Sequence, residues 1–131
     1  MTVTMFRRIT RNEKATSLVE FALILPVLVM LTLGALDIGR GFAYYLVLTN
    51  GAREGASWLS KYPDDTAGAV ERVLLEAERV GIPADELTII ATPAQSGDIA
   101  TVRVQYNFDL LFGLFDFSSI PFNIAVNYEV L

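Results

Sequence analysis

Glu20 is the residue whose type and position most demand a chemical explanation. It follows Lys14-Ala15-Thr16-Ser17-Leu18-Val19 and stands just inside an apolar stretch that reaches Leu36. A charged side chain at the centre of a membrane helix costs ~2.5–3.5 kcal/mol on insertion scales, and less near an end. A plain anchor gains nothing from that cost. A subunit drawn out of the bilayer and packed against copies of itself does gain, because the carboxylate then meets a partner charge. The chemistry in view is therefore ion pairing in an apolar setting. Other chemistry has little to work with. The chain has no histidine and no cysteine, which removes the commonest general base and the thiol nucleophile. It shows no Gly-rich phosphate loop and no metal-ligand spacing, so no enzyme activity, cofactor or metal is expected. The acidic pairs Asp64-Asp65 and Asp85-Glu86 flank helix starts or turns, where solvated carboxylates are ordinary.

The elements around Glu20 must hold it in the membrane and carry something beyond it. At 131 residues, 53% of them hydrophobic, the chain has room for one modest domain and an anchor. Residues 1–15 carry Arg7, Arg8, Arg11 and Lys14 against Glu13, a net +3, and the rest carries −8. Positive charge flanking a hydrophobic segment stays in the cytoplasm. This orients the N-terminus inwards and the acidic part outwards, as a single-pass, membrane-tethered envelope protein. An acidic exterior is also a poor match to nucleic acid, whose binding needs Lys and Arg against phosphates.

From Phe21 to Leu36 no residue is charged, and 19–20 residues at ~1.5 Å each cross a ~30 Å hydrocarbon core. Pro26 lies inside this run, where a membrane helix tolerates it; a kink or loosening near Leu23–Pro26 is expected. The helical pattern continues from Asp37 to about Lys61. Phe42, Tyr45, Leu46, Thr49, Ala52, Ala56 and Leu59 share one stripe, with Arg53 intruding on it. Asp37 and Arg40 are expected to meet on the opposite face. Two pairs of small residues, Ala35 with Gly39 and Gly51 with Gly55, have the spacing of close helix approach. They suit packing between subunits or packing against the protein's own sheet. A helix unbroken from Thr16 to Lys61 would be ~69 Å long.

The remainder reads as a small α+β head over 63–131. Asp65 or Thr66 caps a second helix running to about Val80, with Val70, Val73, Leu74 and Ala77 buried; Gly81 and Pro83 end it. Three strands follow: Leu87 to Thr92, then the alternations Ala100-Val102-Val104-Tyr106-Phe108 and Phe122-Ile124-Val126-Tyr128-Val130. An antiparallel sheet with one apolar face, covered by the outer half of the long helix, is expected. The connection Leu110 to Phe117 is too apolar for a free loop. It either plugs the core or forms an exposed interface, with Phe112 and Phe115 as the residues to test.

Taken together, Ser17-Leu18-Val19-Glu20-Phe21-Ala22-Leu23-Ile24-Leu25-Pro26, Asp37-Ile38-Gly39-Arg40 and Asn50-Gly51-Ala52-Arg53-Glu54-Gly55-Ala56 resemble the TadE-like proteins. These are minor pilins or pseudopilins of tight-adherence (Tad, Flp-type) pilus systems. The resemblance covers about residues 14–57 and extends to the head only in pattern. It implies a type IV pilin-like α+β fold: a basic leader over 1–15, a long helix over 16–62 (span about 18–36, external spine 37–62), and the head. It also implies that a prepilin peptidase cuts between Ala15 and Thr16, though glycine is usual where Ala15 stands. Glu20 would then pair with the freed Thr16 amine of a neighbour, setting filament register. The implied partners are that peptidase, membrane lipid and other pilins, in homo- or hetero-oligomers. The implied role is a minor component of an adhesive or secretory pilus. Two alternatives remain open at this point: an uncleaved membrane-anchored interaction domain, and the main structural pilin of a filament.

Overall fold

The computed structural model describes residues 13–112 and 118–130. Helix α1 runs Glu13–Lys61, 49 residues with Pro26 inside it. The chain separates into two compact units, 1–33 and 34–131. In the first unit, α1 is exposed at every position from Ala15 to Thr32. One stretch of α1 is long and apolar enough to cross a membrane, with a mean hydropathy of 2.3 and only 6% of it buried. The core helix of a globular domain would be mostly buried, whereas this stretch is exposed among the described residues.

The second unit is the α+β head. After the outer part of α1 come α2 (Thr66–Glu78), a 3-10 turn at Ala84–Glu86, β1 (Leu87–Thr92), β2 (Ile99–Asp109) and β3 (Ser119–Glu129). The strands form an antiparallel sheet in the order β1-β2-β3. The fold is therefore α+β with a pilin-like layout. Alternation in β2 is complete: Ala100, Val102, Val104, Tyr106 and Phe108 are all buried, and Thr101, Arg103, Gln105, Asn107 and Asp109 face away from the core. Register pairs Val104 with Ile124 and Tyr106 with Phe122, so the apolar faces of the two strands coincide. Strand β3 is less enclosed: within it Ile124 is buried while Tyr128 stays exposed.

Helix α2 buries Ala69, Val73 and Ala77. The sequence reading placed Val70 and Leu74 on that side, but both are only half-buried, and it omitted Ala69. The buried row is Ala69, Val73 and Ala77, four residues apart, with Val73 at its centre between the two alanines. Asp65 caps the helix: its Oδ1 accepts from the Gly68 N–H at 2.9 Å, satisfying one of the otherwise unpaired donors. At the other end the Ile82 N–H bonds to the Ala77 carbonyl at 3.1 Å and Gly81 N–H to that of Glu78 at 3.0 Å. This closure needs the left-handed φ of +75° at Gly81, a conformation glycine adopts without strain.

The stripe on the outer part of α1 differs from expectation. Phe42, Tyr45 and Leu46 are exposed, as is Arg53. Ala52, Ala56 and Leu59 are buried as expected, joined by Asp37, Gly41, Leu48, Gly51, Gly55 and Ser60. Hydrophobicity draws the eye to the largest apolar side chains. The helix instead turns its smallest residues inwards, because small residues let its backbone approach α2 and the sheet.

Candidate assembly surface on the outer helix

Asp37 is the structural pivot of this surface. Its carboxylate is buried, at 5% relative exposure, on the inward stripe with Gly41 and Leu48. Oδ2 accepts from the Phe112 N–H at 2.9 Å, and Oδ1 accepts from the Leu111 N–H at 3.1 Å. Arg40, one turn on, donates from Nη1 to Oδ1 at 3.1 Å. The pairing of Asp37 with Arg40 is as expected, but Asp37 lies on the buried face, not the opposite one. Burial pushes the Asp37 carboxyl up; the Phe112 and Leu111 N–H groups and Arg40 outweigh it and hold it below the usual carboxylate range. The carboxylate therefore ties the chain leaving β2 to the first turns of the outer helix, across 74 residues of sequence.

Aromatic packing continues from this tie. Arg40 lies 5.1 Å from the Phe108 ring centre, over its face. Phe108 stacks on Phe122 at 5.7 Å and meets Tyr44 edge-on at 5.4 Å. Gly41 makes room for Phe108: a Cβ there would sit 3.2 Å from its Cε1. Beside this cluster runs an apolar groove of about 270 Å³, lined by Asp37, Gly41, Phe42, Tyr45, Ile120 and Phe122 among others. Ile38 and Phe42, at 74% and 63% exposure, stand along its rim.

The residues singled out from sequence fall in different places. Ala15, Thr16 and Glu20 all lie within α1 in the first unit, exposed. Ala35 and Gly39 are exposed too, and a Cβ on Gly39 would meet nothing within 4 Å. Gly51 and Gly55 face α2 of the same chain. A Cβ on Gly51 would lie 3.1 Å from the Val73 Cα, and one on Gly55 would lie 2.8 Å from the Ala69 carbonyl oxygen. Phe112 is exposed at 40%, while its N–H serves Asp37. Phe115 lies outside the described residues, as does Met1 to Asn12. Asp37 as an inward anchor and Gly41 as its neighbour were not anticipated. The signal was present in the spacing Asp37-Gly41-Tyr44-Leu48, which follows a helix face but is weak by hydropathy.

A second cluster occupies the end of the outer helix. Asp65 Oδ2 accepts from Trp58 Nε1 at 2.8 Å. Arg72 lies 3.4 Å over the Trp58 ring and donates to the Gly68 carbonyl at 2.9 Å. The Gly68 N–H, then Trp58, hold the Asp65 carboxyl below its usual range against the opposing effect of burial. A Cβ at Gly68 would collide with Asp65 and come within 2.6 Å of Trp58 Nε1.

The family model of TadE-like proteins matches residues 15–57. The matched stretch holds Glu20, Asp37, Arg40 and both pairs of small residues, and it stops short of α2 and the sheet. Over this stretch the chain is similar to a family that is pilus-associated and structural in character, not catalytic. No curated protein and no solved structure matches the chain.

Proposed function

We propose that the chain is a minor pilin or pseudopilin of a Tad-type pilus, anchored by α1 with its N-terminus in the cytoplasm and its head outside. The observation that carries this reading is the TadE-like match over 15–57, which coincides with the exposed apolar run of α1 and includes Glu20 near its start. In the proposed sequence of events a prepilin peptidase cleaves between Ala15 and Thr16, removing the basic leader. The freed Thr16 amine and the Glu20 carboxylate of a neighbouring subunit then neutralise one another in an apolar surrounding. Two opposite charges so placed interact more strongly than in water. They fit only when neighbours are shifted along the axis by about one helical turn. One ion pair thereby sets the stagger, and the subunit initiates or stabilises a pilus.

Intact mass and N-terminal sequencing of the native protein, with and without the host's prepilin peptidase, test the reading. A start at Thr16 that depends on the peptidase is the expected result. A start at Met1 in both backgrounds would leave a permanently anchored protein and remove the cleavage step. Glu20→Gln separates the charge from the helix: assembly with an unaltered stagger in this variant would eliminate the register role.

A further inference from the structure

We infer that the far end of the head carries a binding cleft for a short acidic peptide segment, built from Arg53, Lys61 and Arg72 around Trp58. The cleft has a volume of about 460 Å³, within the range of ligand sites. Arg53 and Lys61 stand eight residues apart on α1, on one face of the helix, and Arg72 enters from α2. Glu54 is the acidic residue in the lining, and Asp65 lies behind Trp58, where its charge meets that of Arg72. Against these two carboxylates Arg53, Lys61 and Arg72 leave the cleft net cationic.

The placement of charge on the head is uneven. Residues beyond 15 total −8. Among the described residues, Arg40 is paired with Asp37 and Arg79 with Glu76, and Arg103 lies on the polar face of β2. Arg53 and Lys61 are exposed and make no ion pair among the described residues. Two unpaired cations on an acidic head are thus gathered at one cleft beside Arg72.

Arg72 is also preorganised. Its guanidinium is fixed by the Trp58 ring at 3.4 Å and by the Gly68 carbonyl, and Trp58 is itself fixed by Asp65. A guanidinium held this way loses little freedom when it meets a carboxylate. The ligand must be anionic, and it must be short, because a long polyanion would be repelled by the surrounding acidic head. A sugar acid is disfavoured by the same stack: Trp58 already lies against Arg72 and, at 4.2 Å, against Tyr62, so its indole is taken. A peptide needs only its carboxylates met, with Tyr62 and Tyr128 at the margin for its backbone.

The chain has a single tryptophan, so fluorescence excited selectively at tryptophan, beyond the tyrosine band, reports on this cleft. Full-length protein in neutral detergent is titrated with blocked tetraglutamate at low salt. A saturable change in Trp58 emission is expected, weakened by added salt and absent with tetraglutamine. Arg53→Gln with Lys61→Gln is expected to weaken affinity at least ~10-fold with unchanged thermal unfolding, since both side chains are exposed; should the double variant fail to fold, Lys61→Gln alone is used. Arg53→Lys should retain the response. No saturable change in the wild type, or an equal response in the double variant, would overturn the proposal. Tetragalacturonate binding as tightly as the peptide would overturn the choice of ligand. The result does not depend on leader cleavage.

Discussion

Helix α1 carries two pairs of small residues at the same spacing, and the two have different surroundings. Gly51 and Gly55 lie against α2, where the backbones approach so closely that a methyl group on Gly55 would reach the Ala69 carbonyl at 2.8 Å. Ala35 and Gly39 face outwards, and a methyl group on Gly39 would meet nothing within 4 Å. Spacing four apart therefore encodes the capacity for close approach but says nothing of the partner. In the first case the partners lie downstream in the same chain, from Ala69 onwards. In the second, any partner must come from elsewhere.

The largest effect expected from breaking this contrast is at Gly55. Gly55→Leu forces a branched side chain against a backbone carbonyl and against Val73 and Val102, at 3.4 and 3.5 Å from the Cβ position alone. A backbone atom cannot rotate out of the way. The cost should reach or exceed ~3 kcal/mol, the upper end of ordinary overpacking, and lower the melting temperature by more than ~10 °C. Thermal unfolding followed by Trp58 emission measures it. A variant that melts like the wild type would mean that the α1–α2 approach is looser than these distances.

Next comes Asp37, which binds two distant backbone N–H groups where Gly39, two residues on, binds nothing. Asp37→Asn keeps the shape but presents an amide whose NH₂ can face the Leu111 and Phe112 donors. Stability should fall, and the exposed loop after β2 should gain faster amide exchange at those two positions. The pH dependence has a definite sign. The folded-state carboxyl is held below the ordinary aspartate value of 3.8, so the stabilisation is complete above that value and is lost as pH falls through the lowered one. Asp65 behaves likewise. Asp37→Asn should therefore flatten the acid limb of the stability curve without changing its neutral plateau's slope. An acid limb of wild-type steepness would show that Asp37 is not one of its sources.

How far these features were legible follows from residue type. The strands were readable because strict alternation in β2 admits one buried face, and Gly81 with Pro83 marks a helix end by backbone geometry alone. The inward face of α1 was legible at its far end, where Ala52, Ala56 and Leu59 are buried as expected. Nearer the membrane-length run it is written in Asp37 and Gly41, which hydropathy barely registers, while exposed Phe42 and Leu46 dominate the pattern. Asp37 was read as a surface partner of Arg40. Its buried role depends on N–H groups 74 and 75 residues away, and no local pattern carries that information. Glu20, by contrast, stands out in sequence because nothing apolar around it explains a carboxylate.

The smallest effect on folding sharpens the comparison most, because it reverses sign. Gly39→Ala and Gly55→Ala make the same chemical change on one helix. Alanine gains ~0.8–1 kcal/mol over glycine in a helix interior, and at Gly39 nothing opposes that gain. Gly39→Ala should therefore leave the head's melting temperature unchanged or slightly raised, and should increase helicity by circular dichroism. At Gly55 the same methyl enters a 2.8 Å contact with a carbonyl oxygen, and the net effect should be destabilising. The opposite ordering would mean that Gly39 is already covered in the isolated protein. With the ordering as expected, Gly39→Leu becomes a clean probe of assembly. If its melting temperature also stays at the wild-type value, a loss of the proposed assembly would report contact with another molecule on the open face of α1.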